Sequence, residues 1–259
     1  MHSKPLVTVV VTHHLDSNRR YLDLCLEAVL RSKAVDFEVI CLADSETCPV
    51  VPERVTLIWD RALDTATKKV HHGIKFAHPE SKYFLLLSDD VVVSEWMLHV
   101  MVADLAGRDW ILNPMSNSDY GSRYVLNDRL SDPKFEHERP IPLHASIEDM
   151  EEWREALITH SSPYIHAPLV IKQDWVCFFC TLIPRTVWEK VGGLDPALEV
   201  RHNDEDFCYR AGRLNIPSLI SMAAFAFHFG SRTLDQSVHP GEKEAATQYF
   251  QRKWSILNA

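Results

Sequence analysis

The stretch Tyr83-Phe-Leu-Leu-Leu-Ser-Asp-Asp90 decides how this chain folds. Tyr83–Leu87 is a short apolar run, read as a strand buried on both faces, and such strands belong to parallel sheets covered by helices. Ser88, Asp89 and Asp90 follow at once, where the carboxyl end of that strand would be. In open α/β sheets ligands sit outside those ends. Adjacent carboxylates repel unless a cation or solvent separates them, and hard oxygen ligands suit Mg²⁺ or Mn²⁺. The plainer reading is that Asp90 caps the helix that starts a few residues later.

Outward from that run the pattern repeats. Strands are expected at Leu6–Val11, Phe37–Leu42, Val55–Trp59 and Trp110–Asn113. Helical periodicity appears over Arg19–Ser32, Arg61–Ala77 and Glu95–Ala106, between the strands. Alternation of this kind predicts βαβ units in an α/β fold: one mostly parallel, Rossmann-like sheet flanked by helices. From Asn117 to about Gln173 the chain turns polar and proline-punctuated, apart from an acidic helical piece at Ile147–Ile158, and is expected to form an irregular insertion or lid. Order resumes with a strand over Trp175–Ile183 and a helix over Arg185–Val191. The acidic loop His202–Asp206, a helix over Phe207–Leu214, a strand over Ser218–Phe227 and a helix over Glu242–Leu257 complete the pattern.

Composition narrows the function. The 259 residues carry 27 Lys plus Arg against 36 Asp plus Glu, a net charge of −9 that argues against nucleic acid and against a polybasic membrane patch. Only 8 residues are glycine, about half the usual share, and none falls in a dinucleotide fingerprint, a Walker A loop or a nucleophile elbow. Any phosphate must be held another way. Of the six cysteines, Cys177 and Cys180 have C-x-x-C spacing but no second pair, so thiols serving as small hydrophobes outweigh a zinc or redox role. The N-terminal apolar run is too short for a signal peptide, and no run is long enough to span a membrane, so the expected location is cytoplasmic.

Two further clusters carry chemistry. Asn203-Asp204-Glu205-Asp206 before a helix is more acid than capping requires, and suits a general base on a rigid helix start. His228 closes an apolar run and is followed by Gly230, Ser231 and Arg232, a turn, a hydroxyl and a cation that can meet an anion.

Taken in order, VTVVVTHH, YLDLCLEAVL, FEVICLADSE, HHGIKFA, YFLLLSDD, CTLIPRTVWEKVGGLD, NDEDFCYRAGR and AFHFGSRT resemble the inverting nucleotide-sugar glycosyltransferases of family 2, nearest to rhamnosyltransferase-like members. The resemblance covers residues 5–115 and 174–234 and implies a GT-A fold. It implies a single domain over 1–259: a nucleotide-sugar half at 5–115, the insertion at 116–173, and an acceptor and catalytic half at 174–259. Residue by residue, it places Thr12, His13 and His14 beside the nucleobase, with His14 where the family has Asn, and Asp44 at the base or ribose. Ser88-Asp89-Asp90 matches the D-x-D motif with Ser in the first place, making Asp90 a metal ligand completed by His228. Asp204 matches the catalytic base, with Asn203 replacing a Glu. Lys68, Lys69 and Arg232 become candidates to touch phosphate. The implied cofactor is a divalent cation, Mn²⁺ or Mg²⁺. The implied partners are a nucleotide-diphospho-sugar donor and a glycan or other hydroxyl acceptor, with peripheral membrane contact allowed. Two other classes stay open: a nucleotide-sugar-binding protein that has lost catalysis, which the Ser88 and Asn203 departures suggest, and a nucleotidyltransferase, which usually carries a glycine- and arginine-rich N-terminal loop not seen here.

Overall fold

The computed structural model describes residues 4–14, 19–117, 158, 170–230 and 240–257. Within them the elements run β1 (Val7–His13), α1 (Arg19–Leu30), β2 (Phe37–Ala43), β3 (Val55–Trp59), α2 (Ala66–Phe76), β4 (Tyr83–Ser88), β5 (Val91–Val93), α3 (Met97–Leu105) and β6 (Ile111–Ser116). The second half holds β7 (Val170–Gln173), β8 (Cys180–Pro184), α4 (Arg185–Val191), α5 (Asn203–Arg213), β9 (Ser218–His228) and α6 (Pro240–Leu257). Most of the expected insertion, including the helix expected at Ile147–Ile158, lies outside the described residues, as does Arg232.

The described strands form one nine-stranded sheet ordered β3-β2-β1-β4-β8-β6-β9-β5, with β7 on the other part of the β9 edge. The expected α/β class holds. β3, β2, β1 and β4 pair in parallel, β8 enters antiparallel between β4 and β6, and β6 and β9 resume the first direction. β1 and β4 are apolar on both faces because helices cover both, and their cores (Val9, Val10, Val11, Phe84, Leu85, Leu86) are sealed from solvent.

Several boundaries differ from the sequence expectation. α2 begins at Ala66 rather than Arg61, since Thr65 is its N-cap and its side chain accepts from the Lys68 N–H. The apolar run at Trp175–Ile183 is a loop up to Phe179, and the strand itself is Cys180–Pro184. α5 starts at Asn203 rather than Phe207, so the acidic cluster is its first turn and not a loop before it. Asp90 is not the N-cap of α3: that helix starts after Trp96, which makes no side-chain cap, and Asp90 sits in the turn between β4 and β5.

α2 presses unusually close to the sheet. A Cβ on Gly73 would lie 2.7 Å from both Val10 Cγ1 and Leu42 Cδ1. Gly73→Ala therefore costs about 1–3 kcal/mol in overpacking, which outweighs the ~1 kcal/mol alanine gains over glycine in a helix. Urea denaturation measures the difference; a stabilised variant contradicts the packing.

Candidate functional site

The carboxyl ends of β1, β2, β4 and β9 open on one side of the sheet. Each ends in polar residues: Thr12 to His14 at the end of β1, Asp44 after β2, Ser88 to Asp90 at the end of β4, His228 on β9. α5 delivers its first turn to the same place. The result is a cavity of about 810 Å³ whose walls include Thr12, His14, Asp44, Asp89, Asp90, Asp204 and His228. Residues from five separate segments thus meet in one cavity.

The two adjacent aspartates avoid each other by turning to different histidines. Asp89 Oδ2 lies 2.6 Å from His13 Nδ1, and both side chains are buried. Asp90 Oδ1 lies 3.3 Å from His228 Nε2, also buried. His228 is further fixed at its backbone by Asn117, whose Oδ1 accepts from its N–H at 2.7 Å and whose Nδ2 donates to its carbonyl at 3.0 Å.

A second cluster sits at the ends of β1 and β2. Lys69 Nζ lies 3.1 Å from Asp44 Oδ2 and 3.1 Å from His14 Nδ1. Lys69 is fully buried, and neither it nor His13 lines the cavity; both stand behind its wall. Burial pulls the Lys69 ammonium below the ordinary lysine value although Asp44 supports its charge. Burial also works against the Asp44 carboxylate, but His14 and Lys69 outweigh it and hold Asp44 below the usual range. Asp44 Oδ1 is buried at the cavity wall with no hydrogen-bond partner among the described residues, so it is an acceptor waiting for a donor. Lys68 is engaged outside, 2.7 Å from Asp64 and 3.6 Å from Glu199.

Asp204 stands at the start of α5. The turn into the helix is made by His202 in the left-handed region at φ 59°, whose ring contacts Glu205 and stacks on Phe250 of α6 at 4.6 Å. Asp204 Oδ1 accepts from the Glu205 N–H at 2.9 Å, and the Asp204 N–H donates to Asn203 Oδ1 at 2.8 Å. Asn203 Nδ2 in turn donates to Thr67 on α2 at 3.2 Å, which ties the helix start to the opposite wall. Burial pushes the Asp204 carboxyl above the usual carboxylate range, and the Glu205 charge adds to it. A carboxylate raised this way is a better proton acceptor near neutral pH.

Asp90 and His228 offer one oxygen and one nitrogen to a cation, and their 3.3 Å separation suits two neighbouring ligands of an ion with bonds near 2.1 Å. Among the described residues no group of three or more His, Cys, Asp or Glu side chains is arranged to hold a metal. The pair fits an ion of the Mg²⁺ or Mn²⁺ kind, which commonly takes its remaining ligands from substrate phosphates and water.

The architecture is similar to that of GalNAc-T7, whose crystal structure contains UDP, GalNAc and Mn²⁺, with a TM-score of 0.61 at 10% identity over 88% of this chain. The chain has a GT-A fold. It spans 44% of that neighbour's length. No family model matches the sequence, and no curated protein does. The likeness carries the GT-A fold and leaves the particular GT-A family open.

The GT-A frame also exposes residues that sequence reading missed. Arg61, just after β3, lines the cavity and is the one Arg or Lys among its described walls, which otherwise carry seven carboxylates. It sits beyond a strand's carboxyl end, and that rule alone could have found it. Glu242, Ala245, Ala246 and Tyr249 of α6 form another wall, and no local signal marks them. α6 is held there by Asp206, fully buried, which accepts from Arg210 at 2.8 Å and Trp254 at 3.0 Å and meets Lys253 at 2.6 Å. No described helix is long and apolar enough to cross a membrane.

Proposed function

We propose that this chain is a divalent-cation-dependent, inverting glycosyltransferase that moves a sugar from a nucleotide-diphospho-sugar to an acceptor hydroxyl. The observation that carries the proposal is the convergence of Asp44, Asp90, His228 and Asp204 on one cavity at the strand ends of a GT-A fold. Thr12, His14 and the free oxygen of Asp44 border the nucleoside end. Arg61 is the candidate for direct contact with phosphate. Asp90 and His228 would hold the ion, which neutralises the leaving diphosphate when bound. Asp204 takes the proton of the acceptor hydroxyl while that oxygen bonds to the anomeric carbon. The bond from that carbon to the diphosphate oxygen breaks with its electron pair, and displacement in one step inverts the centre. The assignment to family 2 and its rhamnosyltransferase-like branch rests on the ordered motifs. Six free cysteines suit the reducing cytoplasm in which we place the reaction.

A thermal-shift panel of UDP, GDP, dTDP and CDP, each with and without Mn²⁺, tests the donor site. One nucleotide at about 100 times its dissociation constant should add roughly 2.7 kcal/mol to the folded state, with the shift dependent on Mn²⁺. No shift with any nucleotide overturns the proposal.

A further inference from the structure

α2 and α5 meet through one hydroxyl that the mechanism above does not use. Thr67, in the first turn of α2, is 2% exposed and stands behind the cavity wall. Inside a helix a threonine hydroxyl commonly bonds back to a carbonyl of the preceding turn. That of Thr67 reaches away from its own helix instead. It donates to the Leu198 carbonyl at 3.1 Å and accepts from Asn203 Nδ2 at 3.2 Å.

The three segments joined there are walls of the same cavity. α2 contributes Ala66 and Val70, the loop over 194–200 contributes Leu194 and Ala197, and α5 contributes Asn203 and Asp204. The hold of α2 on the loop is repeated one turn on, where His71 Nε2 donates to the Leu194 carbonyl at 2.9 Å. Asn203 carries the link onward, since its Oδ1 accepts from the Asp204 N–H at 2.8 Å. The path from α2 to Asp204 therefore runs through the Thr67 hydroxyl and both ends of the Asn203 amide.

We propose that Thr67 is a positioning residue, its hydroxyl locking α2, the 194–200 loop and α5 together and so setting where Asp204 stands in the cavity. α2 also carries Lys69, 3.1 Å from Asp44, so one helix fixes a residue at the nucleoside end and the start of the helix that bears the base. A base and a reacting oxygen need such fixing, because a misplacement of about 1 Å can cost about 10²-fold in rate. Asparagine suits the joint where glutamate would not. With the Thr67 proton on Leu198, its oxygen needs a donor, and an ionised carboxylate has none. The departure at Asn203 from the family 2 pattern thus has a use in this chain. Calling Asp204 a base rests on the glycosyltransferase reading; the joint does not.

The experiment has two arms, each comparing wild type with Thr67→Val, Thr67→Ser and Asn203→Asp. Valine keeps the branched shape without the hydroxyl, serine keeps the hydroxyl, and aspartate keeps the acceptor for the Asp204 N–H but loses the donor to Thr67. The first arm follows hydrogen exchange of the Asp204, Glu205 and Asp206 amides by mass spectrometry on overlapping peptides. Thr67→Val and Asn203→Asp should each speed it about fivefold, the worth of one net hydrogen bond, with β1 and β4 unchanged and serine as wild type. Equal rates in all four proteins overturn the joint, and so does a rise shared equally by β1 and β4, which is general loosening. If Thr67→Val does not fold, Asn203→Asp decides this arm. The second arm is steady-state kinetics. Thr67→Val should lower kcat about 10–100-fold with KM for the donor little changed, and Thr67→Ser should restore it. Unchanged kcat in a valine variant whose α5 start exchanges faster overturns the positioning role. If no donor is turned over by wild type, the exchange arm still decides the joint, while the base assignment fails on its own.

Discussion

Asp204→Asn should lower sugar transfer by about 10²–10⁴-fold, the usual worth of a positioned general base, while nucleotide binding in the thermal-shift assay stays as in wild type. Asn keeps the shape and can still accept from the Glu205 N–H, so the loss isolates proton acceptance. Two further readouts share the same cause. Burial and Glu205 raise the folded Asp204 carboxyl above its unfolded value. The wild-type rate therefore climbs with pH through a limb lying above the ordinary carboxylate range. For stability the sign is opposite: ionising a group whose folded value is raised costs folding free energy once pH passes the unfolded value. At neutral pH Asp204→Asn should melt higher than wild type. A variant that loses activity and stability together would point to a structural role instead.

Lys69→Met should destabilise the fold by about 3–5 kcal/mol, because it leaves the Asp44 carboxylate buried without its ammonium partner. Lys69 was a phosphate candidate on sequence grounds, yet its fully buried side chain faces Asp44 and His14 behind the cavity wall. Methionine matches its length and removes only the charge. Adding Asp44→Asn should recover part of the loss, since the stranded charge is gone, and guanidinium denaturation of both single variants and the double gives the coupling directly. Full additivity would mean the pair is not coupled. On the proposed function the double variant should bind nucleotide poorly, because it alters the cavity-lining Asp44, whose Oδ1 has no partner among the described residues.

Much of this molecule was readable before its fold was known, for a physical reason. Strands buried on both faces admit few polar residues, so Tyr83–Leu87 and Leu6–Val11 stand out, and the first polar residue after each marks a sheet end. The motif order then brought Thr12, His14, Asp44, Asp90, Asp204 and His228 to one cavity. What escaped reading depends on contacts distant in sequence. The apolar period of α5 begins at Phe207, whereas its first turn is written in acids that serve the helix terminus and the cavity. β5 and β7 are three and four residues long, too short for a period to show. Nothing near Lys69 announces that Asp44 will neutralise it, and nothing in α6 announces that Asp206 and Asp195 will anchor Lys253, one at 2.6 Å and the other at 2.7 Å.

The place of β8 in the sheet has a consequence for how the chain comes off the ribosome. β4 and β6 both wait for the same antiparallel strand, which is synthesised about ninety residues after Ser88. At roughly 5–20 residues per second, that is about 5–20 s during which the apolar strand β4 has one open edge. A short run rich in Leu and aromatics, uncharged and free of proline, is the kind of segment that pairs with copies of itself. The run that makes the fold legible is therefore also its exposed seam in the nascent chain, closed only when Cys180–Pro184 slides in beside it.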